Sequence, residues 1–294
     1  MNQVYEMLQA GDIGACIEQA MQDVRADAGN VRHRVLLFQL MCLNGDWEKA
    51  RRQLYVLKDM DAETIPMFET YDPVIQCEMF RQAVFDGQRS PLLFGEPRDW
   101  LATLCQALPC FADGRLEQGL EMQAEAFDQA PTSSGRIVAD GAAEPEEFEW
   151  IADADGRLGP VLEVFLNGHY YWVPIEHVRH VRIDEPEDLR DLVWTPAQFQ
   201  WANGGQAVGF IPTRYSGTEN ATDDRVRLSR MTEWLGSPGD DEDGLQVGVG
   251  QRLLATDVRD YPLLGIREIT IGSAAEAIVD TSVDTSVDAP SESG

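Results

Sequence analysis

The chain has 294 residues, of which 44% are hydrophobic, so it can build one large or two modest apolar cores. Its formal net charge is −28, from 23 basic and 51 acidic residues. This balance argues against binding to nucleic acid or to an anionic membrane, because both require a basic surface. It fits either simple solubility or the attraction of a basic protein partner.

Residues 1–130 are predicted to be helical. Apolar residues recur three or four positions apart, as they do between Val31 and Met41. The stretches AGDIGAC (10–16) and NGDWEKA (44–50) each place a glycine at the end of one helix and an aspartate at the start of the next. Because these stretches are 34 residues apart, the period of a tetratricopeptide hairpin, we predict a TPR-like helical array.

A weaker third copy of this device is predicted at FADGRLEQGL (111–120). Between the second and third copies, Pro66 and Pro73 are expected to interrupt the helices. Residues 87–97 are rich in Gly and Pro and are expected to form a loop. The array should therefore be short and irregular.

Residues 131–146 are small, polar and bear Pro and Gly, which predicts a linker. Residues 147–272 are predicted to form a β-rich domain, a mostly antiparallel barrel or sandwich, because short strands alternate with frequent turns. Val161–Leu166 has the continuous apolar composition of a buried strand. Asn167-Gly168 favours a type I′ hairpin turn, after which His169–Val173 is the return strand. The predicted fold class is α+β.

The rest of this domain carries further strands and one short helix at Glu185–Trp194. Because Tyr170, Tyr171 and Trp172 point alternately to the two faces of one strand, we expect at least one of them to pack against the helical domain or a partner. Residues 273–294 are acidic, small and repetitive, and are predicted to be a disordered tail. The further strands are predicted at Phe148–Ala152, Val178–Ile183, Phe199–Trp201, Val208–Ile211, Val226–Trp234, Gly250–Thr256 and Ile266–Ile271.

The five cysteines match no zinc-binding spacing, and their odd number argues against a complete disulfide framework. Each lies in an apolar stretch, which is typical of buried free thiols in a reducing compartment. The sequence has neither a secretory signal pattern nor a run of about 20 apolar residues. We therefore expect a cytoplasmic protein.

Asp153 and Asp155 precede Gly156 in a stretch that has two interpretations. An EF-hand calcium loop would need a further oxygen ligand where Arg157 stands and a later glycine, so the match is poor. The alternative is a turn in which the aspartates bond their own backbone between two strands. We expect this second, structural role.

A metal-dependent enzyme or binder is the alternative function. It would use Asp153, Asp155, His169 and the acidic run Gly239–Gly244, and a solvated loop is the plainer interpretation of that run. The pair of His177 and His180 would share a face in a helix but face opposite ways in a strand. The sequence contains no nucleophile elbow, phosphate-binding loop, dinucleotide fingerprint or HExxH zinc motif. No catalytic, metal or cofactor residue is therefore predicted.

A short helical array more often offers a groove for a peptide or helix than an active site. The first helix of the second hairpin would line this groove. It carries the predicted partner-binding residues Arg32, Arg34, Phe38 and Gln39. The alternative for Phe38 is a place in the core.

Five long blocks occur in order along the chain: LLFQLMCLNGDWEKARRQL (36–54), FGEPRDWLATL (94–104), FEWIADADGRLGPVLEVFLNGHYYWVP (148–174), EPEDLRDLVWTPAQFQWANGGQAVGFIPTRY (185–215) and LLATDVRDYPLL (253–264). Together they resemble the ImpE/TagJ (SciE-type) family of type VI secretion accessory proteins, and the resemblance extends from about Leu8 to Ile271. The resemblance implies a cytoplasmic, non-catalytic adaptor without a cofactor. It further implies binding to the N-terminal helix of TssB, the small subunit of the contractile sheath, and a link to ClpV, the ATPase that recycles the sheath.

Overall fold

The computed structural model describes residues 2–236 and 244–272. The N-terminal part is helical, as predicted. No described helix has both the length and the apolar composition that crossing a membrane would require. The helices are α1 (Asn2–Ala10), α2 (Ile13–Ala26), α3 (Val31–Leu43), α4 (Trp47–Met60), α5 (Ile65–Phe85), α6 (Asp99–Ala112) and α7 (Leu116–Gln129).

The turns between paired helices use the predicted glycines. Gly11, Gly45 and Gly114 have φ angles of 78°, 77° and 74°, the left-handed conformation that glycine adopts without strain. Asp12 caps α2 by accepting a hydrogen bond from the Ala15 amide at 2.8 Å. Asp46 makes no such cap on α4 and pairs instead with Lys49.

Helix α5 differs from the expected interruption between the second and third hairpins. Pro66 lies in its first turn, where the missing N–H needs no partner, and the helix continues through Pro73 to Phe85. This single helix of 21 residues separates the α3–α4 pair from the α6–α7 pair. The TPR-like character of the array therefore stays a prediction.

The C-terminal part is mostly antiparallel sheet. The strands are β1 (Leu92–Leu93), β2 (Gly135–Ala139), β3 (Glu146–Phe148), β4 (Ile151–Asp153), β5 (Val161–Leu166), β6 (His169–Pro174), β7 (Val178–Ile183), β8 (Trp194–Trp201), β9 (Gln206–Pro212), β10 (Thr232–Leu235), β11 (Val247–Gly250), β12 (Leu253–Thr256), β13 (Asp260–Pro262) and β14 (Ile266–Ile271). Nine of them form one open sheet in the order β1-β6-β5-β9-β8-β7-β14-β2-β3, with a parallel β1–β6 pair at one edge. Of the two predicted alternatives, barrel or sandwich, the barrel is therefore wrong. Two smaller sheets are β10-β11 and β13-β12-β4.

The strand pair β5–β6 confirms the strongest hairpin signal in the sequence. Asn167 and Gly168 have φ angles of 50° and 75°, as a type I′ turn requires. Tyr170 and Trp172 are buried towards the helices, where Phe80 and Phe85 contact them, whereas Tyr171 faces the other way, towards Phe94. The expected division of these aromatics between two faces is confirmed.

Several segments differ from their predicted structure. The strand expected at Phe148–Ala152 ends at Phe148 and resumes as β4, the strand expected at Gly250–Thr256 is divided between β11 and β12, and the loop expected at residues 87–97 contains β1. The expected linker, residues 131–146, contains β2. This strand pairs with β14 on one side and with β3 on the other, and its Ile137 is fully buried. The helix expected at Glu185–Trp194 is a series of turns that ends where β8 begins. The strand expected at Val226–Trp234 is divided into a short helix α8 (Asp224–Arg227), a turn and β10.

Two apolar clusters stabilise the fold. The first joins the helices to one face of the large sheet through residues such as Leu104, Phe165 and Trp194. The second lies between the large sheet and the sheet β13-β12-β4. The predicted tail, residues 273–294, and the acidic residues of the run Gly239–Gly244 lie outside the described residues.

Candidate functional site

The predicted partner-binding residues lie on α3, but they do not share one environment. Arg32 is exposed and Gln39 is half-buried. Arg34 donates hydrogen bonds to the side chain of Gln53 on α4, at 2.9 Å, and to the carbonyl of Ala28. Phe38 is 0% exposed and belongs to the core, so it is not available as a surface anchor.

Beyond Gln39, the inner side of the helical array is filled by the chain's own segments and is not an open groove. Trp194 from β8 packs against Trp47 and Tyr71, with ring centroids 5.7 and 6.2 Å away. The Arg214 side chain donates to the Leu43 carbonyl at 2.8 Å, where it satisfies the C-terminal end of α3. The predicted groove is therefore not open at this end of α3, where the chain's own residues occupy it.

The most elaborate side-chain constellation is a buried ionic network between α5 and the sheets. Arg81 on α5 donates two hydrogen bonds to the carboxylate of Glu163 on β5, at 2.7 and 2.9 Å, and one to Glu78 at 2.9 Å. Arg252 then joins Glu163 to Asp153 on β4. These side chains are at most 5% exposed, so the network replaces the water that each charge loses on burial.

Neighbouring polar groups complete the bonding of this network. The Trp194 indole donates to Glu78 at 3.0 Å, and the Tyr170 hydroxyl donates to Glu163. Arg81 also donates to the carbonyl of Arg214 at 3.0 Å. One network thus binds α5, β5 and β8 together with the segment that covers α3.

The two central carboxyls have opposite pKa shifts. Burial disfavours the charge of both. At Glu163 the guanidinium groups of Arg81 and Arg252 outweigh burial and lower the pKa to about 2. At Asp153 burial outweighs Arg252, and the nearby Asp155 adds repulsion, so the pKa rises to about 7. Asp153 is therefore the titrating member of the network near neutral pH.

Asp153 and Asp155 have the structural role that the turn interpretation predicted. Asp153 accepts a hydrogen bond from the Asp155 amide at 2.9 Å. Asp155 accepts from the Arg157 amide at 2.9 Å and from the Gly248 amide of β11 at 3.0 Å, and it pairs with the Arg157 side chain. The two carboxylates thus fix a turn and join it to a neighbouring strand.

The histidines do not converge on these aspartates. His169 is exposed on the β5–β6 hairpin, where Nδ1 lies 3.0 Å from the Asn167 carbonyl. His177 contacts the carbonyl of Phe94, and His180 lies 3.5 Å from Glu268. Within residues 2–236 and 244–272, no three His, Cys, Asp or Glu side chains are grouped as metal ligands would be. The geometry gives the alternative metal-dependent function no support there.

Sequence reasoning missed the arginines of the network. The available signal was Glu163, a single charge inside the otherwise apolar strand VLEVFL. A charged residue at such a position must be paired, because an unpaired buried charge is too costly. The sequence contains no indication that Arg81 and Arg252, distant along the chain, would supply the pairs.

Comparison with known proteins agrees with the resemblance found in the sequence. A model of the family described as ImpE protein matches residues 145–270. The chain is 43% identical over 264 residues to the type VI secretion system accessory component TagJ of Pseudomonas aeruginosa, covering 90% of this chain and 89% of that protein. The crystal structure of a Vibrio parahaemolyticus protein has the same fold, with a TM-score of 0.81, 21% identity and coverage of 94% of this chain and 99% of that one. The chain belongs to the ImpE/TagJ family of type VI secretion accessory proteins.

Proposed function

We propose that this protein is a non-catalytic, cytoplasmic adaptor that binds the N-terminal helix of the small sheath subunit, TssB. The observation that carries the proposal is the 43% identity to a type VI accessory component along 90% of the chain. A helical N-terminal region supports it, because helices commonly bind a partner helix through spaced apolar side chains. The net charge of −28 would speed encounter with a basic partner surface.

The exposed surface of α3 is the proposed contact. Val35 and Leu36 are partly exposed there, between the polar side chains of Arg32 and Gln39. An amphipathic helix could place apolar residues on Val35 and Leu36, with Arg32 and Gln39 at the polar rim. Phe38 would contribute indirectly, because its buried ring packs against that of Tyr71, with centroids 6.1 Å apart, and so positions α3.

A pull-down of purified sheath subunit, with and without its N-terminal helix, tests this proposal. Full-length subunit should be retained, and the truncated form should be lost. Arg32→Glu together with Leu36→Asp should weaken binding at least about tenfold, because Leu36→Asp places a charge at the apolar centre of the proposed surface and Arg32→Glu reverses a charge at its rim. Arg115→Glu, an exposed charge reversal between α6 and α7, is the matched control and should bind normally.

Retention of the truncated subunit would refute the role of that helix. Equal binding by the α3 variant and the control would refute the α3 surface while leaving the adaptor function in place. The proposed link to ClpV is tested by titrating the ATPase with and without sheath subunit. Binding that requires the sheath subunit would place this chain on the sheath and not on the ATPase.

A further inference from the structure

Strand β9 directs part of its backbone towards a side on which no strand pairs with it. On its other side it pairs with β8 along its whole length. The Trp201 amide donates to the Gly205 carbonyl, and the bonds between antiparallel strands recur at every second residue. The odd-numbered residues of β9 therefore bond to β8, whereas Gln206 and Val208 direct their N–H and C=O groups towards β5.

Strand β5 does not reach these groups. Its register with β9 consists of the pair Phe165 and Phe210, after which the type I′ turn carries the chain back into β6. Among the described residues, no group donates to or accepts from the backbone of Gln206 or Val208 on this side. We call these two residues the free edge of β9. An unpaired edge of this kind is a template for a further strand.

A cavity of about 250 Å³ lies beside the free edge, between α5 and the sheet. Its apolar walls include Val74 on α5, Phe165 on β5 and Phe210 on β9. Val74 and Phe165 are at most 5% exposed, so these walls are fixed by the core. Small-molecule sites usually have about 300–1,000 Å³, so this volume suits a single apolar side chain better.

The geometry of β9 directs a bound side chain into this cavity. Val208 and Phe210 are two positions apart and therefore share one face of the sheet. Phe210 faces α5, where its ring centroid is 5.7 Å from that of Tyr71. Opposed residues of an antiparallel pair put their side chains on the same face. A residue that bonds to Val208 therefore points its side chain towards α5 and the cavity.

Glu69 on α5 gives the cavity a negative charge. It lines the cavity, is exposed, and makes no ion pair within residues 2–236 and 244–272. Its carbonyl also lacks the usual helical donor, because the residue four positions on is Pro73, which has no N–H. A guanidinium has five N–H donors and can bond to both groups. Charge complementarity therefore favours a partner that carries an arginine near its apolar residue.

We propose that β9 and α5 form a binding site for an extended segment of a partner protein with the pattern apolar-x-Arg. The segment adds an antiparallel strand to the free edge, so that its backbone bonds to Val208 and then to Gln206. Its apolar side chain fills the cavity, and its arginine, two residues further and on the same face, bonds to Glu69. The site is separate from the α3 surface and does not depend on the sheath helix proposed above.

A fluorescein-labelled peptide tests the site on the full chain. The peptide Thr-Ser-Val-Thr-Arg-Thr has the proposed pattern, and its anisotropy should saturate with a Kd below about 1 mM. Val208→Pro should weaken binding at least about fivefold, because it removes one donor of the free edge and leaves the bonds to β8 in place. Val208→Ala keeps this donor and is the matched control, which should bind within about twofold of the natural chain.

The side-chain contacts are tested separately. Glu69→Gln should weaken binding at least about threefold and remove most of its salt dependence. Glu63→Gln, an exposed acid before α5 that does not line the cavity, is the control. A peptide with glycine in place of valine should bind at least about tenfold more weakly, because the cavity stays unfilled.

Each of three results would overturn the proposal. The first is the absence of saturable binding. The second is equal binding by Val208→Pro and Val208→Ala, which would mean that the free edge is not used. The third is binding that Glu69→Gln and salt leave unchanged. Circular dichroism melting checks the fold of each variant, and Glu69→Gln, at an exposed helical position, decides if Val208→Pro melts early.

Discussion

At the scale of single residues, Glu163 determines how the helical and β-rich parts meet. Its carboxylate is 0% exposed and receives Arg81 from α5 on one side and Arg252 on the other. An intact buried ion pair of this kind adds little to the free energy of folding, but removing one partner destabilises the protein strongly because the other charge stays buried and unpaired. The network therefore specifies one relative placement of α5 and β5.

Replacing Arg81 by methionine should destabilise the protein strongly. The variant leaves Glu163 and Glu78 buried with fewer donors, which costs roughly 3–5 kcal/mol for a broken buried pair. The matched change Arg115→Met removes a pair with Asp113 in which both side chains are about half exposed or more, and should have little effect. Urea unfolding followed by tryptophan fluorescence measures both; equal midpoints would contradict the role of the network.

Asp153 should make the free energy of unfolding decrease as pH rises, because its pKa is higher in the folded protein than in the unfolded chain. Its pKa is about 7 in the folded protein and roughly 3.9 in an unfolded chain. Between these values the folded state binds the additional proton, so the contribution of Asp153 to stability is present below about pH 4 and is lost as pH rises towards 7.

The variant Asp153→Asn isolates this effect, because it cannot ionise. The unfolding free energy of the variant relative to the natural chain should rise by on the order of 4 kcal/mol between pH 4 and pH 7.5. Denaturant titrations at a series of pH values measure the difference. A difference that stays constant across that range would mean that Asp153 ionises normally.

At the scale of elements, the sequence predicted local structure well where the signal was local. The turn Asn167-Gly168 and the strands Val161–Leu166, Val178–Ile183 and Ile266–Ile271 lie where their patterns predicted. The pattern of apolar residues did not predict a strand whose formation depends on pairing with neighbouring strands. Ile137 and Val138 are apolar residues in an otherwise mostly polar stretch, and they form part of a strand because β14 pairs with β2 on one side and β3 pairs with it on the other.

The site followed the same rule. The turn role of Asp153 and Asp155 could be predicted because their partners include adjacent backbone amides. The filling of the helical groove could not, because Trp194 and Arg214 lie more than a hundred residues from the helices they contact. Periodicity identified α3 as a helix but contained no information on which of its faces would remain open.

Helix α7 is held against the β-rich part at a position where glycine is required. Gly159 has a φ of 53°, and a Cβ there would lie 2.3 Å from the Phe127 ring of α7. Gly159→Ala should therefore cost more than backbone strain alone, which is about 1–2 kcal/mol. Gly141→Ala is the control, since Gly141 also has a positive φ, of 68°, but has open space around it. Equal losses in thermal stability would mean that the contact with Phe127 is unimportant.

At the scale of the whole molecule, the first apolar cluster and the ionic network cross the boundary between the helical and β-rich parts. Trp172 and Trp194 are fully buried, and both pack against helical residues. A fragment of residues 1–130 would therefore expose the face of α5 that carries Arg81, and a fragment of residues 131–294 would leave Glu163 and both tryptophans uncovered.

We expect that neither fragment folds cooperatively alone, and that the two associate when they are produced together. Each fragment would bury less apolar surface, and each would contain charges of the network without their partners. Both effects favour unfolding. Circular dichroism melting and size-exclusion chromatography distinguish the outcomes: broad transitions and aggregation for single fragments, one sharp transition for the pair. Two independently sharp transitions would instead mean that the parts are separable domains. In that case the α3 surface could bind the sheath helix without the β-rich part, and a pull-down with residues 1–130 alone would succeed.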